Sequence, residues 1–257
     1  MWIKRIRAWG RVLFFFFSSI NGAKCNIMDA SQSTNKILEG KSIIRFGDGE
    51  FGIYKKRGIH YQDWSEELLN EFLKIKKDYV GGNSNYILAV PKEYMTMSGV
   101  NLLKRRALVA SWSEARYDFV RTFPQNMIYA DAFLFQKGNE KIFGRIWGED
   151  IQHDNVIFIH NSQVYAQEFE EKYNKKVFFV KCPERNSFEC IASLFNSIDT
   201  ILSQLDLSAD NTELVISAGP AGKVIAYNYT NKGFLCIDAG HCWDNPLRGE
   251  GKYCERK

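Results

Sequence analysis

The sequence predicts an α/β protein with a Rossmann-like, mostly parallel sheet and helices on both faces. Short apolar runs recur along the chain, and amphipathic stretches of helical length separate them. The runs are continuous rather than alternating, which is typical of strands covered on both faces. Strands that alternate with helices form βαβ units, whose strands lie parallel.

Seven apolar runs are predicted strands and five amphipathic stretches are predicted helices. The predicted strands span residues 42–46, 86–90, 127–130, 155–159, 176–180, 213–217 and 234–238. The predicted helices span residues 64–77, 99–123, 163–173, 187–205 and 223–232. No internal repeat and no Pro/Gly/Ser-rich linker divides the chain. We therefore predict one domain over residues 28–257, preceded by an N-terminal segment, residues 1–27.

The composition narrows the class of protein. With 257 residues, 45% hydrophobic and 25% charged, the chain can bury a full core. The net charge of +4 is small and the basic residues are dispersed among acidic ones, which argues against a nucleic-acid partner. Six cysteines without a CxxC pair predict reduced thiols and a cytoplasmic protein.

The N-terminal segment combines basic residues with aromatic ones. Its apolar run, residues 12–17, is far shorter than a membrane span. One interpretation is a helix at the inner membrane surface, with aromatic side chains among the headgroups and basic ones on anionic lipid. The other is an ordinary helix that packs its aromatic residues on the domain. The sequence is compatible with both interpretations.

The RFGDGE hexapeptide at residues 45–50 directly follows a predicted strand. Its glycines allow a sharp turn, from which we expect Asp48 and Glu50 to project. Divalent cations such as Mg²⁺ prefer carboxylate oxygens and keep positions for phosphate oxygens. A metal site that holds a diphosphate is one interpretation, and ordinary turn chemistry is the other.

Three further loops follow predicted strands, at the edge of the sheet where ligands collect. In the loop after residue 217, Gly219 and Pro220 precede a helix whose N-terminus could bind phosphate, or they serve tight packing. In the loop after residue 180, Arg185 and Asn186 lie at the edge of the sheet where they could bind a nucleotide or its phosphates. The alternative is a purely structural cap, because Asn186 has capping-box spacing with Glu189.

The last of these loops follows the final strand and contains Asp238 and His241. His241 could act as an acid or base, or could position a phosphate. A buried, hydrogen-bonded histidine is the structural alternative.

Taken in order, RFGDGE, PERN at 183–186, Gly219-Pro220 and DAGH at 238–241 resemble the bacterial GT-D glycosyltransferases, over roughly residues 30–245. The resemblance implies transfer of a hexose, typically glucose, from a UDP-sugar to a glycan, glycolipid or glycoprotein acceptor. It implies that Asp48 and Glu50 hold Mn²⁺ or Mg²⁺ on the diphosphate. The residues that it implies for nucleotide binding are Arg45, Gly47, Arg185, Asn186, Gly219 and Pro220.

The catalytic base is less defined than the metal ligands. Asp238, His241 and Glu149 are the candidates, of which only Asp238 and His241 belong to the motifs above. The chain departs from the family pattern at residues 160–165 and 242–246. These departures support an alternative function, a non-catalytic subunit that binds a nucleotide and partners another transferase.

Overall fold

Eight parallel strands form one sheet at the centre of the molecule. The computed structural model describes residues 2–82, 84–104, 109–136, 139–149 and 153–240. The strands are β1 (Asn26–Ile27), β2 (Ser42–Arg45), β3 (Tyr86–Val90), β4 (Ile128–Asp131), β5 (Asn155–His160), β6 (Lys176–Lys181), β7 (Thr212–Ile216) and β8 (Leu235–Asp238). Their order across the sheet is β1-β4-β3-β2-β8-β7-β5-β6. The predicted parallel α/β fold is confirmed.

Each predicted strand lies within a residue or two of an observed one, whereas β1 was not predicted. Every residue of β3, β7 and β8 is buried. Because successive side chains point to opposite faces, helices must cover both faces of these central strands. This burial is the physical reason for the apolar run that fills β3 and for the apolar runs at 214–216 in β7 and 235–237 in β8.

The described residues form eleven α-helices. They are α1 (Trp2–Ser18), α2 (Ala30–Leu38), α3 (Asp48–Tyr54), α4 (Glu66–Val80), α5 (Lys92–Thr96), α6 (Gly99–Lys104), α7 (Val109–Thr122), α8 (Glu140–Gly144), α9 (Gln163–Tyr173), α10 (Ile191–Gln204) and α11 (Gly219–Asn231). A π-helical turn, Arg145–Glu149, follows α8, and a 3₁₀ turn, Ser187–Cys190, precedes α10.

Two predicted elements need correction. The predicted helix 99–123 is observed as α6 and α7, and residues 105–108 between them lie outside the described residues. The predicted helix 223–232 begins earlier, at Gly219, because Pro220 fits the first turn of a helix, where no N–H is needed. The RFGDGE motif is not an exposed turn but the start of α3.

The N-terminal helix α1 packs on α7. Phe16 is buried, and the rings of Phe14 and Phe15 lie against Tyr117. The buried Arg116 donates from Nη2 to the carbonyl oxygen of Ser19 at 2.6 Å, just beyond the end of α1. A cation is favourable there because the carbonyl groups at a helix C-terminus carry partial negative charge. Among the described residues, no helix is both long and apolar enough to cross a membrane.

Candidate active site

A cavity of about 780 Å³ lies beyond the carboxyl ends of the strands. It is lined by residues that follow β2 through β8, and by parts of α3, α7 and the loop at 57–62. The size is within the usual range for a small-molecule site. The expectation that the strand-end loops converge is therefore confirmed for the cavity as a whole.

The RFGDGE motif contributes two carboxylates with different surroundings. Asp48 is exposed and lines the cavity, in the first turn of α3. Glu50 is only 4% exposed, and its Oε2 accepts the backbone N–H of Gly47 at 2.8 Å. This is the glutamate half of a capping box, which satisfies an N–H at the start of the helix. The expectation that both carboxylates project from an exposed turn was wrong, because α3 turns Glu50 inward.

Lys223 on α11 joins Glu50 to Asp238 beneath the cavity. Its Nζ lies 3.2 Å from Oε1 of Glu50 and 3.2 Å from Oδ2 of Asp238. All three side chains are buried. Buried charges are tolerated only when they are paired and hydrogen-bonded, so this cluster ties together α3, α11 and the end of β8.

Glu50 and Lys223 favour each other's charged form. Burial alone would raise the pKa of the Glu50 carboxyl, but Lys223 and the Gly47 N–H outweigh burial and hold the pKa below its ordinary value. Burial likewise disfavours the ammonium of Lys223, but Asp238 and Glu50 raise its pKa above its ordinary value. Glu50 and Lys223 therefore form an oppositely charged pair.

Arg45 connects the same cluster to the cavity wall. Its backbone N–H donates to Oδ2 of Asp238 at 2.9 Å, and its Nη1 donates to the carbonyl oxygen of Ala132 at 2.8 Å. Gly240 has a φ of +57°, and a Cβ there would lie 1.7 Å from Nη2 of Arg45. Glycine is thus required for the guanidinium to cross the end of β8 and reach the cavity.

Gly219 and Pro220 form the first turn of α11 in the cavity wall. The free N–H groups of this turn suit a phosphate group. Gly219 has a φ of +55°, and a Cβ there would lie 2.9 Å from the ring of Tyr61. The glycine therefore has a conformational role, and its predicted role at a ligand stays a prediction.

Arg185 and Asn186 lie beside the cavity, whereas their neighbours Glu184 and Ser187 line it. The side chain of Asn186 accepts from the backbone N–H of Asp63 at 2.8 Å and donates to its Oδ2 at 2.9 Å. The predicted cap is wrong: Asn186 has a φ of +54° and its side chain makes no capping bond. Nucleotide contact by Arg185 and Asn186 stays a prediction.

Two of the three candidate catalytic residues have side chains outside the described part of the chain. His241 falls outside the described residues, and the side chain of Glu149 is likewise not described. Asp238 is 1% exposed, with Oδ2 close to both the Arg45 N–H and Lys223.

Sequence reasoning missed several residues in the cavity wall. Tyr61 and His60 come from the loop after α3, and Trp112 from α7. His160, at the end of β5, is buried in the wall, and its Nδ1 accepts the backbone N–H of Ser162 at 3.0 Å. His160 could have been found from sequence because it follows a predicted apolar strand. No local sequence pattern indicated His60, Tyr61 or Trp112.

Cys182 also lines the cavity, but its chemistry is that of a neutral thiol. Burial raises the pKa of Cys182 to about 11. The thiol stays protonated at neutral pH, which argues against a nucleophilic role.

Comparison with known proteins identifies the family. The family model described as glycosyltransferase GT-D fold matches residues 43–245, which include every loop discussed above. The chain belongs to the GT-D glycosyltransferase family. A solved structure, described as domain of unknown function 1792 with a distinct glycosyltransferase fold, superposes with a TM-score of 0.68 at 18% identity. That match covers 89% of this chain and 82% of the other.

A second solved structure, a glycosyltransferase from Streptococcus sanguinis, gives a TM-score of 0.61 at 21% identity over 85% of this chain and 82% of the other. Curated relatives include a probable glycosyl transferase, Gly, of Streptococcus gordonii (20% identical, 84% of this chain, 32% of the relative). Glycosyltransferase GlyD of Streptococcus pneumoniae is 23% identical over 80% of this chain and 25% of its own length. The chain thus spans about a third or less of the curated relatives that it matches.

The two carboxylates of this GT-D site differ in how well they fit a metal. Asp48 offers its carboxylate at the cavity surface, where a cation could also take phosphate oxygens. Glu50 has one oxygen on the Gly47 N–H and the other beside Lys223. Within the described chain, no three His, Cys, Asp or Glu side chains gather as a metal-ligand group. The donor set therefore fits a cation held by Asp48 together with phosphate and water oxygens.

Proposed function

We propose that this protein transfers a hexose, glucose by resemblance to the family, from a UDP-sugar to a glycan, glycolipid or glycoprotein acceptor with a divalent metal ion. The observation that carries the proposal is one cavity whose wall contains both the Asp48 carboxylate and the first turn of α11. The first suits a cation and the second suits phosphate oxygens. A nucleoside diphosphate requires both kinds of partner.

The N-terminus of α11 would accept the diphosphate. Gly219 and Pro220 line the cavity in the first turn of α11, where backbone N–H groups such as that of Gly219 have no intrahelical partner. Arg45 adds a guanidinium in the same wall. Together these groups would offset the charge of the leaving diphosphate.

Asp48 would hold Mn²⁺ or Mg²⁺, which would supply further neutralisation of the leaving group when bound. Glu50 would act indirectly: it caps α3 and fixes the turn that presents Asp48. In this proposal Asp48 alone is a direct metal ligand, and Glu50 is a positioning residue.

Asp238 would also act through its neighbours. Its Oδ2 is within 3.2 Å of both the Arg45 N–H and the Lys223 ammonium. A carboxylate so engaged is a poor acceptor for the proton of a sugar hydroxyl. We therefore assign Asp238 to holding Arg45 and Lys223, while His241 remains the predicted catalytic residue.

The state of the cysteines bears on the cellular location. Among the described residues, Cys25, Cys182, Cys190 and Cys236 are free thiols, as expected of a cytoplasmic protein. We propose that the enzyme works in the cytoplasm at the inner face of the membrane.

A screen of nucleotide-sugar donors tests the function. The assay measures nucleoside diphosphate released in the presence of glycan acceptors, with Mn²⁺, Mg²⁺ or excess EDTA. We expect release from a UDP-hexose that needs the metal and falls at least tenfold in Asp48→Asn. Full activity in EDTA would overturn the metal role. A chain that binds UDP without turnover on any donor would instead support the partner-subunit alternative.

A further inference from the structure

One side of α1 exposes a row of large apolar side chains. Trp9, Leu13 and Phe17 recur every four residues and therefore lie on one face of the helix. Trp9 is 67% exposed and Phe17 is 64% exposed. Exposed aromatic residues in such a row are unusual on a soluble surface and mark an interaction site.

The row continues onto α6. The backbone N–H of Gly99 donates to the carbonyl oxygen of Ile20 at 2.8 Å, so the start of α6 lies against the chain that follows α1. Val100 is 63% exposed and Leu103 is also exposed. The resulting apolar surface has these members: Trp9, Leu13, Phe14, Phe17, Ile20, Val100 and Leu103.

The opposite side of α1 is firmly attached to the protein. Phe16 is buried, and the ring centroids of Phe15 and Tyr117 are 5.0 Å apart. Arg116 fixes the end of the helix through the Ser19 carbonyl. The helix is therefore packed on the domain along one side, as one of the two interpretations predicted, and carries an exposed apolar row on the other side.

The sequence stretches that carry the apolar surface are basic. Residues 1–28 contain no Asp or Glu, and their basic residues are Lys4, Arg5, Arg7, Arg11 and Lys24. Residues 94–113 also lack acidic residues and contain Lys104, Arg105 and Arg106. Both parts of the surface therefore belong to purely basic stretches of sequence.

We propose that this apolar surface docks on an anionic lipid membrane, with the apolar side chains at the acyl boundary and the basic residues on the headgroups. Apolar insertion combined with electrostatic attraction is how interfacial helices bind such membranes. A second copy of this chain is a poorer occupant because two basic surfaces would face each other.

The docking surface lies one helix away from the cavity. The ring of Phe15 is 4.4 Å from Nζ of Lys55. That Nζ is in turn 3.1 Å from Glu114 and 2.8 Å from Asp118. Both carboxylates line the cavity from α7. If the proposed function holds, docking would bring the cavity close to a lipid-linked glycan acceptor, so this part of the inference rests on that function.

Vesicle flotation tests the docking without any substrate. The full chain is mixed with vesicles of phosphatidylcholine alone or with phosphatidylglycerol added. We expect flotation with the anionic vesicles only, decreasing as salt rises. In Leu13→Ser/Phe17→Ser, which alters exposed positions, the bound fraction should fall about tenfold or more. In Arg7→Gln/Arg11→Gln, the fraction bound to anionic vesicles should fall by a similar factor.

Val164→Ser/Leu205→Ser is the matched control, because both residues are exposed and apolar but lie on α9 and at the end of α10. This variant should float like the wild type. Equal flotation of Leu13→Ser/Phe17→Ser and wild type would overturn the proposal, as would no flotation of the wild type. A dimer in light scattering that Leu13→Ser/Phe17→Ser dissociates, without flotation, would assign the surface to a second copy. Because no donor is present, these outcomes are independent of transferase activity.

Discussion

Removal of the Lys223 ammonium is expected to destabilise the fold strongly. In Lys223→Met, the buried carboxylates of Glu50 and Asp238 would lose the cation that lies 3.2 Å from each. Loss of one partner from a buried ion pair costs about 3–5 kcal/mol, because an uncompensated charge remains in the interior. Since a typical domain has only about 5–15 kcal/mol of stability in total, this single change would remove a large part of it.

The assay is urea denaturation at neutral pH, with Lys232→Met as the matched control. Lys232 comes directly after the last residue of α11, but its ion pair with Asp199 is half exposed to solvent. Such exposed ion pairs contribute about 0–1 kcal/mol to the free energy of unfolding. Lys223→Arg should retain most of the stability because it keeps the charge. If Lys223→Met lost no more free energy of unfolding than Lys232→Met, the buried cluster would not stabilise the fold as argued.

Three further predictions address the same site. Glu50→Gln should lower the free energy of unfolding more than Asp48→Asn, because Glu50 is buried and Asp48 is exposed; equal urea midpoints would contradict this. Gly219→Val should reduce stability as well as UDP affinity, because φ is +55° and the side chain would meet Tyr61; calorimetry and thermal melts separate the two effects. The pKa of Glu50 is lower in the folded state than the ordinary glutamate pKa of 4.5. The ionised Glu50 carboxylate therefore stabilises the fold fully above pH 4.5, and this stabilisation is lost as the pH falls through the folded pKa. Urea denaturation from about pH 7 down to about pH 3 should therefore show a steeper acid loss in wild type than in Glu50→Gln, and parallel curves would contradict this.

The sheet could be predicted because its cause is local. A parallel strand covered on both faces needs consecutive apolar residues, and β3, β5 and β7 show them plainly. β1 escaped prediction because its two residues, Asn26 and Ile27, form no run at all. It is defined by pairing with β4, which is a non-local interaction.

The site was only partly predictable for the same reason. The loops after β2, β7 and β8 were found because glycines and acidic residues follow apolar strands. α3 was missed because Gly47, Gly49 and Gly52 are poor helix formers. The burial of Glu50 depends on Lys223, which is distant in sequence, and no local pattern indicates that pair. Asn186 likewise finds its partner, Asp63, in a remote loop.

The most direct test of the proposed site is a calorimetric titration of UDP into the wild type and into Asp48→Asn, each with Mn²⁺ and with EDTA. The cavity is predicted to bind UDP more tightly with Mn²⁺, since Asp48 would hold the cation on the diphosphate. Asp48→Asn should bind UDP equally weakly under both conditions while its thermal melt stays that of the wild type. An undiminished Mn²⁺ effect in Asp48→Asn would contradict the assignment of this carboxylate and of the cavity that it lines.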